Sequence, residues 1–309
     1  MLSKVAERVY WMSRYLERVE NSARLVAVYG ELLLDLPEDA GLDWSVALKA
    51  LGMVDAYQQE GDETNELEFL LTDPQNIASV LNSLNFAREN ARTTRDIVPS
   101  EAWRAINELH IYAGQSLPSF AGRANTQVLD EIVGRCHEIT GILEGTMSHG
   151  AVYQFVRLGR NLERADMISR QIDVAAATIM AGREELTLYE STIWRAVLRS
   201  LSAYQMYRQY VRRRILGPDV FAFLLHDPSF PRSIMHCMAV SRASLGALPR
   251  CEEALQKLQS VQDHLERIDL QSMDHPAVHR FADDLQLELA SLHRLIFDTW
   301  LNPMRVAEA

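Results

Sequence analysis

Along residues 3–35, apolar side chains recur at Val5, Val9, Met12, Leu16, Val19, Ala23 and Val26, in steps of four and three. This spacing follows one face of an α-helix and predicts a long helix with a buried seam. A second run, Phe155, Leu158, Leu162, Ala165, Ser169 and Ile172, repeats the pattern and predicts another long helix over 151–180. Shorter helices are expected elsewhere. Asp43 reads as an N-cap for 44–59, Asp73-Pro74 opens 76–95, and Pro99 opens 99–113. Helical patterns also cover about 125–148, 188–216, 231–247, 250–268 and 276–301, with short helices at 65–72 and 219–226 before the two Asp-Pro turns. No segment carries the Asn-Gly or Asp-Gly punctuation between alternating apolar residues that hairpins use, so strands are not expected.

The two long patterns also share polar residues. The string "RYLERVENSAR" at 14–24 returns as "RNLERADMISR" at 160–170, which sets Arg14, Leu16, Glu17, Arg18 and Arg24 against Arg160, Leu162, Glu163, Arg164 and Arg170, with Glu20 against Asp166. A second pair, "LLTDPQNIASV" at 70–80 and "LLHDPSFPRSI" at 224–234, is offset by 154 residues, as are Arg88 and Arg242. Between them, Ala56-Tyr57-Gln58 matches Ala203-Tyr204-Gln205 at an offset of 147, which assigns the extra residues to the stretch between Tyr204 and Phe223. The period is far longer than the roughly 20 to 50 residues of a solenoid unit. The expected fold is therefore all-α: a helical bundle built from two tandem, internally duplicated half-domains, 1–150 and 151–309. No low-complexity linker separates them, so they should share a core.

The shared acids lie at the margin of the seam. With Val9 at zero and 100° per residue, Glu20, Arg24 and Glu17 fall near about 20°, 60° and 80°, and Arg18 points away near about 180°. Glu20 and Arg24 are spaced for an intrahelical pair, as are Asp166 and Arg170. A second polar row, Arg88, Arg92 and Arg95, lies on the helix after Asp73-Pro74, with Arg88 and Arg95 bordering its apolar side, and of this row only Arg88 has an arginine counterpart in the second half, Arg242. Half-buried arginines require acceptors. The acidic margins are thus expected to face the Arg88-Arg92-Arg95 helix or the Arg242 helix. The junction is either a structural ion-pair network or a carboxylate pocket with acids beside it, and the arginine-rich first half is the favoured place for a site.

Composition narrows the class further. A hydrophobic content of 48% over 309 residues suffices for a large buried core, and the net charge of −11 works against binding to nucleic acid. The basic run Arg212-Arg213-Arg214 precedes Gly217-Pro218, where it reads as the favourable cationic end of a helix. Cys136, Cys237 and Cys251 show no paired spacing, which suits a reducing compartment, and "MLSKVAERVYWMSRY" lacks the apolar core of a signal peptide. A cytoplasmic protein without a membrane span is expected. No Glu-x-x-His pattern, nucleophile elbow or phosphate-binding glycine loop is present, so neither a metal nor a cofactor is expected. His275 and His279 read as surface histidines.

The strings "YWMSRYLERVENSARL", "LLTDP", "ARENARTTRD", "RNLERAD" and "LLHDPSFPRSI", in this order, resemble the bacterial alpha-E family of all-helical proteins, over nearly the whole chain. Ile77 departs from the pattern, standing where relatives often carry a proline, as Pro231 does in the second half. The resemblance carries the Glu-Arg motif to Glu17, Arg18, Glu163 and Arg164, and a second motif to Arg88, Glu89, Asn90, Ala91 and Arg92. It implies association with a circularly permuted ATP-grasp protein and with transglutaminase-like peptidases, in amide or peptide bond metabolism. The expected function is an accessory or substrate-presenting module for an ATP-grasp amide ligase. The alternatives are an amide-forming or amide-cleaving enzyme and a purely structural scaffold. In the enzymatic alternative, Glu17 and Glu163 are the catalytic candidates, and Glu20, Arg24, Arg88, Asn90, Arg92, Arg95, Arg170 and Arg242 are the candidates for holding substrate.

Overall fold

The computed structural model describes residues 3–37, 41–60, 65–119, 126–181, 188–268 and 275–302, and among them all regular structure is helical. The two long patterns form α1 (Ser3–Asp35) and α8 (Ala151–Ala181), as their seams require. Two other expected helices are each broken. Residues 44–59 give α2 (Ser45–Ala50) and α3 (Val54–Glu60), and 188–216 gives α9 (Glu190–Ser200) and α10 (Tyr204–Tyr210). A left-handed residue causes each break: Gly52 at φ 67° and Ser202 at φ 52°. The bonding is the same at both. Gly52 and Met53 donate to the carbonyls of Lys49 and Leu48, and Ser202 and Ala203 donate to those of Arg199 and Leu198. The two breaks lie 150 residues apart, so here Tyr57 stands against Tyr207 and not Tyr204 as the sequence match suggested.

After α4 (Glu66–Leu71), α5 (Val80–Arg92) starts later than its pattern predicted, because Ser79 caps it and 73–79 forms a turn. In that turn Asp73 accepts from the Gln75 amide, and the Ser79 hydroxyl donates to the Asp73 carbonyl. The same bonds recur 154 residues on. Asp227 accepts from the Ser229 amide, Ser233 donates to the Asp227 carbonyl, and Ser233 caps α12 (Ile234–Gly246). The remaining helices are α6 (Ser100–Ser116), α7 (Gln127–Thr146), α11 (Gly217–His226), α13 (Glu252–Glu266) and α14 (His275–Ile296), the last running into a π-helical turn at Phe297–Leu301. The basic run does not end a helix next to Gly217. Because α10 stops at Tyr210, Arg212–Arg214 lie in the connector to α11, where Tyr207 donates to the Arg214 carbonyl and Arg213 approaches Asp219 at 3.7 Å.

Helices α1 and α8 pack against each other at the centre. Helix α1 also packs on α5, α7 and α9, while α8 packs on α12, α14 and α2. Each long helix is therefore flanked by helices from its own half and by short helical segments from the other, α1 also touching the π-helical turn at Phe297–Leu301. At their crossing Gly159 lies so close to α1 that a Cβ there would overlap the Tyr10 carbonyl and the Ser13 hydroxyl. Ser13 is the residue that matches Gly159 at the 146-residue offset. A single cluster of buried apolar side chains runs through both halves, from Ala6 to Leu301.

Candidate functional site

The two Glu-Arg strings bind each other. Glu163 is fully buried, and its two carboxylate oxygens accept from Nε of Arg14 at 2.6 Å and Nε of Arg18 at 2.7 Å. In return Arg164 grips Glu17 bidentately, with Nε and Nη2 each at 2.8 Å. The arginine of each Glu-Arg pair thus neutralises the glutamate of the other. Arg18, placed on the far side of the seam by helical angle, faces α8 because α1 is enclosed by neighbours on several sides. A one-sided stripe describes a surface helix, not a central one.

Burial alone would discharge these acids, and the opposing guanidiniums reverse that. The Glu163 carboxyl is opposed by its burial, yet Arg14 and Arg18 hold it down to about 2. Glu17 is likewise lowered, with Arg164 and Arg232 outweighing its burial. Arg14 and Arg164 are half-buried, and their glutamates raise them. These are paired buried charges, for which loss of one partner costs far more than the pair contributes.

The second acids of the strings differ from each other. Glu20 is buried and accepts from Arg24 Nη2 at 2.6 Å, from Arg232 Nη2, and lies 2.9 Å from His137 Nε2. Despite burial, Arg232, His137 and Arg24 keep it well below the usual carboxylate range. Arg232 also reaches Glu17 and the Asn21 side chain, both at 3.2 Å, so one guanidinium ties three groups of α1 together. Asp166 has a single ion-pair partner among the described residues, Arg170 Nε at 2.9 Å, and its side chain is 19% exposed. Beside it lies a cavity of about 320 Å³, bordered by Arg18, Gly52, Asn76, Ala78, Asp166 and Arg170.

The arginine row of α5 lies elsewhere, and the expectation that it would meet the acidic margins is overturned. Arg88 donates to the Asn107 side chain on α6 at 2.7 Å and sits over the Trp103 ring. Arg95 sits over the same ring and donates to the Arg92 carbonyl, and Arg92 pairs with Glu89 in solvent. The Asn90 carbonyl accepts from the hydroxyls of Thr93 and Thr94, and Arg242 binds Gln262 at 2.8 Å and also Gln259. Arg88 and Arg95 meet α6, Arg92 pairs within α5, and Arg242 joins α12 to α13. The α1 acids are instead met by α8 and by the turn before α12. Of the candidate residues, Glu17, Glu20 and Arg24 come together in one junction, and Glu163 and Arg170 belong to the other.

Sequence reasoning missed Arg14 as a partner of Glu163, along with Arg232, Asn21 and His137. Arg14 stood in the repeated string and was legible there. Arg232 gave no local signal, since it lies 212 residues from Glu20. Arg160, the counterpart of Arg14, does not repeat its contact, and its Nε has no hydrogen-bond partner among the described residues. The two buried thiols are poor nucleophiles: burial pushes Cys237 up to about 12 and raises Cys136 as well. Among the described residues, Asp173, His279 and Asp283 are the group whose donor atoms lie close enough to share a cation. His279 bonds Asp173 there, and that bond raises it.

The chain belongs to the Alpha-E family, whose model, described as a predicted alpha-helical domain with a conserved ER motif, matches residues 1–301. Uncharacterized proteins of Mycobacterium bovis and Mycobacterium tuberculosis are similar to it, each 22% identical over 313 residues. The match covers 94% of this chain but 34% of those proteins, so the chain spans about a third of the length of the curated relatives it matches. No solved structure matches it. Among the described residues, no helix is long and apolar enough to cross a membrane.

Proposed function

We propose that this chain is a non-catalytic helical module whose two Glu-Arg motifs lock its central helices together, and that it works as an accessory or substrate-presenting partner of a circularly permuted ATP-grasp amide ligase. One observation carries the first part: both motif glutamates are buried and each is saturated by opposing arginines. A general base at neutral pH requires a pKa near the working pH and a path to substrate. Glu163, held at about 2, is a poor base, and Glu17 is shifted the same way. The motif therefore reads as a lock.

The ligase partnership, and that with a transglutaminase-like peptidase, rests on the family resemblance. The longer relatives are consistent with a helical module carried beside other domains, since about two thirds of their length lies outside the match. The test is ATP-dependent ligation of amino acids and short peptides by the chain alone, by the ATP-grasp partner alone, and by both. Turnover should need the partner and rise with the chain present. In Glu17→Gln and Glu163→Gln, any loss should follow the folded fraction. Turnover by the chain alone that vanishes in either variant, with folding intact, would overturn this reading.

A further inference from the structure

We infer that the cavity beside Asp166 binds a small zwitterionic ligand, an amino acid or the end of a short peptide, with its ammonium on Asp166 and its carboxylate on Arg18 and Arg170. The argument begins with the other junction. At the 154-residue offset fixed by the two Asp-Pro turns, Ala78 stands where Arg232 does. At the 150-residue offset fixed by the two helix breaks, Ala56 stands where Met206 does. Arg232 fills the space beside Glu17, Glu20 and Asn21. On the Asp166 side both alanines border the open volume of about 320 Å³, at the lower end of the range for small-ligand sites.

The cavity wall has the groups such a ligand needs. Among the described residues Asp166 is ion-paired with Arg170 alone, Arg14 acting on it from farther off, whereas its counterpart Glu20 is bonded by Arg24, Arg232 and His137. Arg18 uses its Nε on Glu163 and Arg170 its Nε on Asp166, which leaves terminal nitrogens of both for the cavity they line. Arg170 also lies against Gly52, where φ is positive and a Cβ would stand 2.5 Å from Nη1, so a side chain there would displace the end of the arginine. Charge selects between ligand classes. Arg14, Arg18 and Arg170 already exceed Glu163 and Asp166 by one. A lone amine would raise that excess, and a lone carboxylate would cancel it but bring no cation to Asp166. A zwitterion satisfies Asp166 at no change in net charge. The inference deepens the substrate-presenting reading, on which it rests for the ligand's role but not for its binding.

The probes are alanine, glutamate, lysine and alanyl-alanine, with propionate and ethylamine as alanine stripped of amine or carboxylate. Calorimetric titration of the full chain should show one-to-one binding of at least one amino acid or the dipeptide, with a matching rise in melting temperature. Preference for alanyl-alanine over alanine identifies a peptide end, and the reverse identifies a free amino acid. Both stripped analogues should bind at least about tenfold more weakly, having lost a charge-assisted contact. Ala78→Arg should fill the cavity as Arg232 fills its counterpart and abolish binding, and Ala56→Met supplies an independent plug if the first variant folds poorly. The inference fails if no probe saturates, if propionate or ethylamine binds as well as alanine, or if both plugged variants bind like the native chain. Ligase stimulation that persists in folded Ala78→Arg while binding is lost overturns the ligand's role in presentation, and leaves both the binding site and the accessory reading standing. Binding with no stimulation by the chain overturns that reading and leaves this one.

Discussion

The two junctions differ in where their cations come from. Glu163 is held by Arg14 and Arg18, both from the facing helix, so that junction is closed by α1 and α8 alone. Glu17 has one facing-helix arginine, Arg164, and takes its other from Arg232 in the turn before α12. Arg232 then continues to Glu20 and leaves that acid fully engaged, whereas Asp166 has one ion-pair partner among the described residues and borders a cavity. The Glu-Arg string thus makes a helix-to-helix contact at both of its occurrences, while the acid three residues further on has different partners at the two.

The largest effect that tests this comparison is loss of the motif glutamates. Glu163→Gln leaves Arg14 and Arg18 facing each other without a counter-charge and should cost about 3 to 5 kcal/mol, as for a buried pair losing one partner. Glu17→Gln should cost less, about 2 to 3 kcal/mol, because Arg232 retains Glu20 and only Arg164 loses its acid. Urea unfolding of the two variants measures the order directly. Equal losses would mean that Arg232 does not buffer its junction.

Acid should act on the same groups. Glu163 has a folded value of about 2 against an ordinary 4.5. The stability it contributes is complete above the ordinary value and is lost as pH falls through the folded one, about 3 kcal/mol in total. Glu17 and Glu20 are shifted in the same direction and add to that loss. Unfolding free energy measured between pH 6 and pH 2 should therefore fall steeply in the native chain and less steeply in Glu163→Gln. An unchanged acid limb in that variant would show that Glu163 is not held ionised by its arginines.

Much of this was legible in sequence, for identifiable reasons. Long seams with period 3.6 fixed α1 and α8, and repeated strings pointed to Glu17 and Glu163 before any coordinates. Side chains packed against unrelated stretches were not legible. The place of Arg232 depends on where a turn lands after a long excursion, and Arg18 was misassigned because helical angle describes a helix with one buried face. Helix breaks at Gly52 and Ser202 were missed because a single left-handed residue leaves the hydrophobic period on either side intact. The same ambiguity allowed Tyr57 to be aligned with Tyr204.

The smallest effects concern the arginine row of α5, and they sharpen the contrast between charges at the centre and charges at the rim. Arg88 makes a hydrogen bond to Asn107 and sits 5.8 Å from the Trp103 ring centroid, so Arg88→Ala should lower stability by about 1 kcal/mol. Arg92 pairs with Glu89 in solvent, where screening removes most of the attraction, so Arg92→Ala should leave the melting temperature unchanged. Neither residue borders the cavity at Asp166. Titration of alanine or alanyl-alanine into both variants should therefore match the native chain within error. A binding loss in Arg92→Ala without a stability loss would move the ligand site to α5 and restore the arginine row as its recognition element. Unchanged binding in both leaves Arg88 as a brace between α5 and α6, and leaves the two junctions as the places where the chain's buried charge is concentrated.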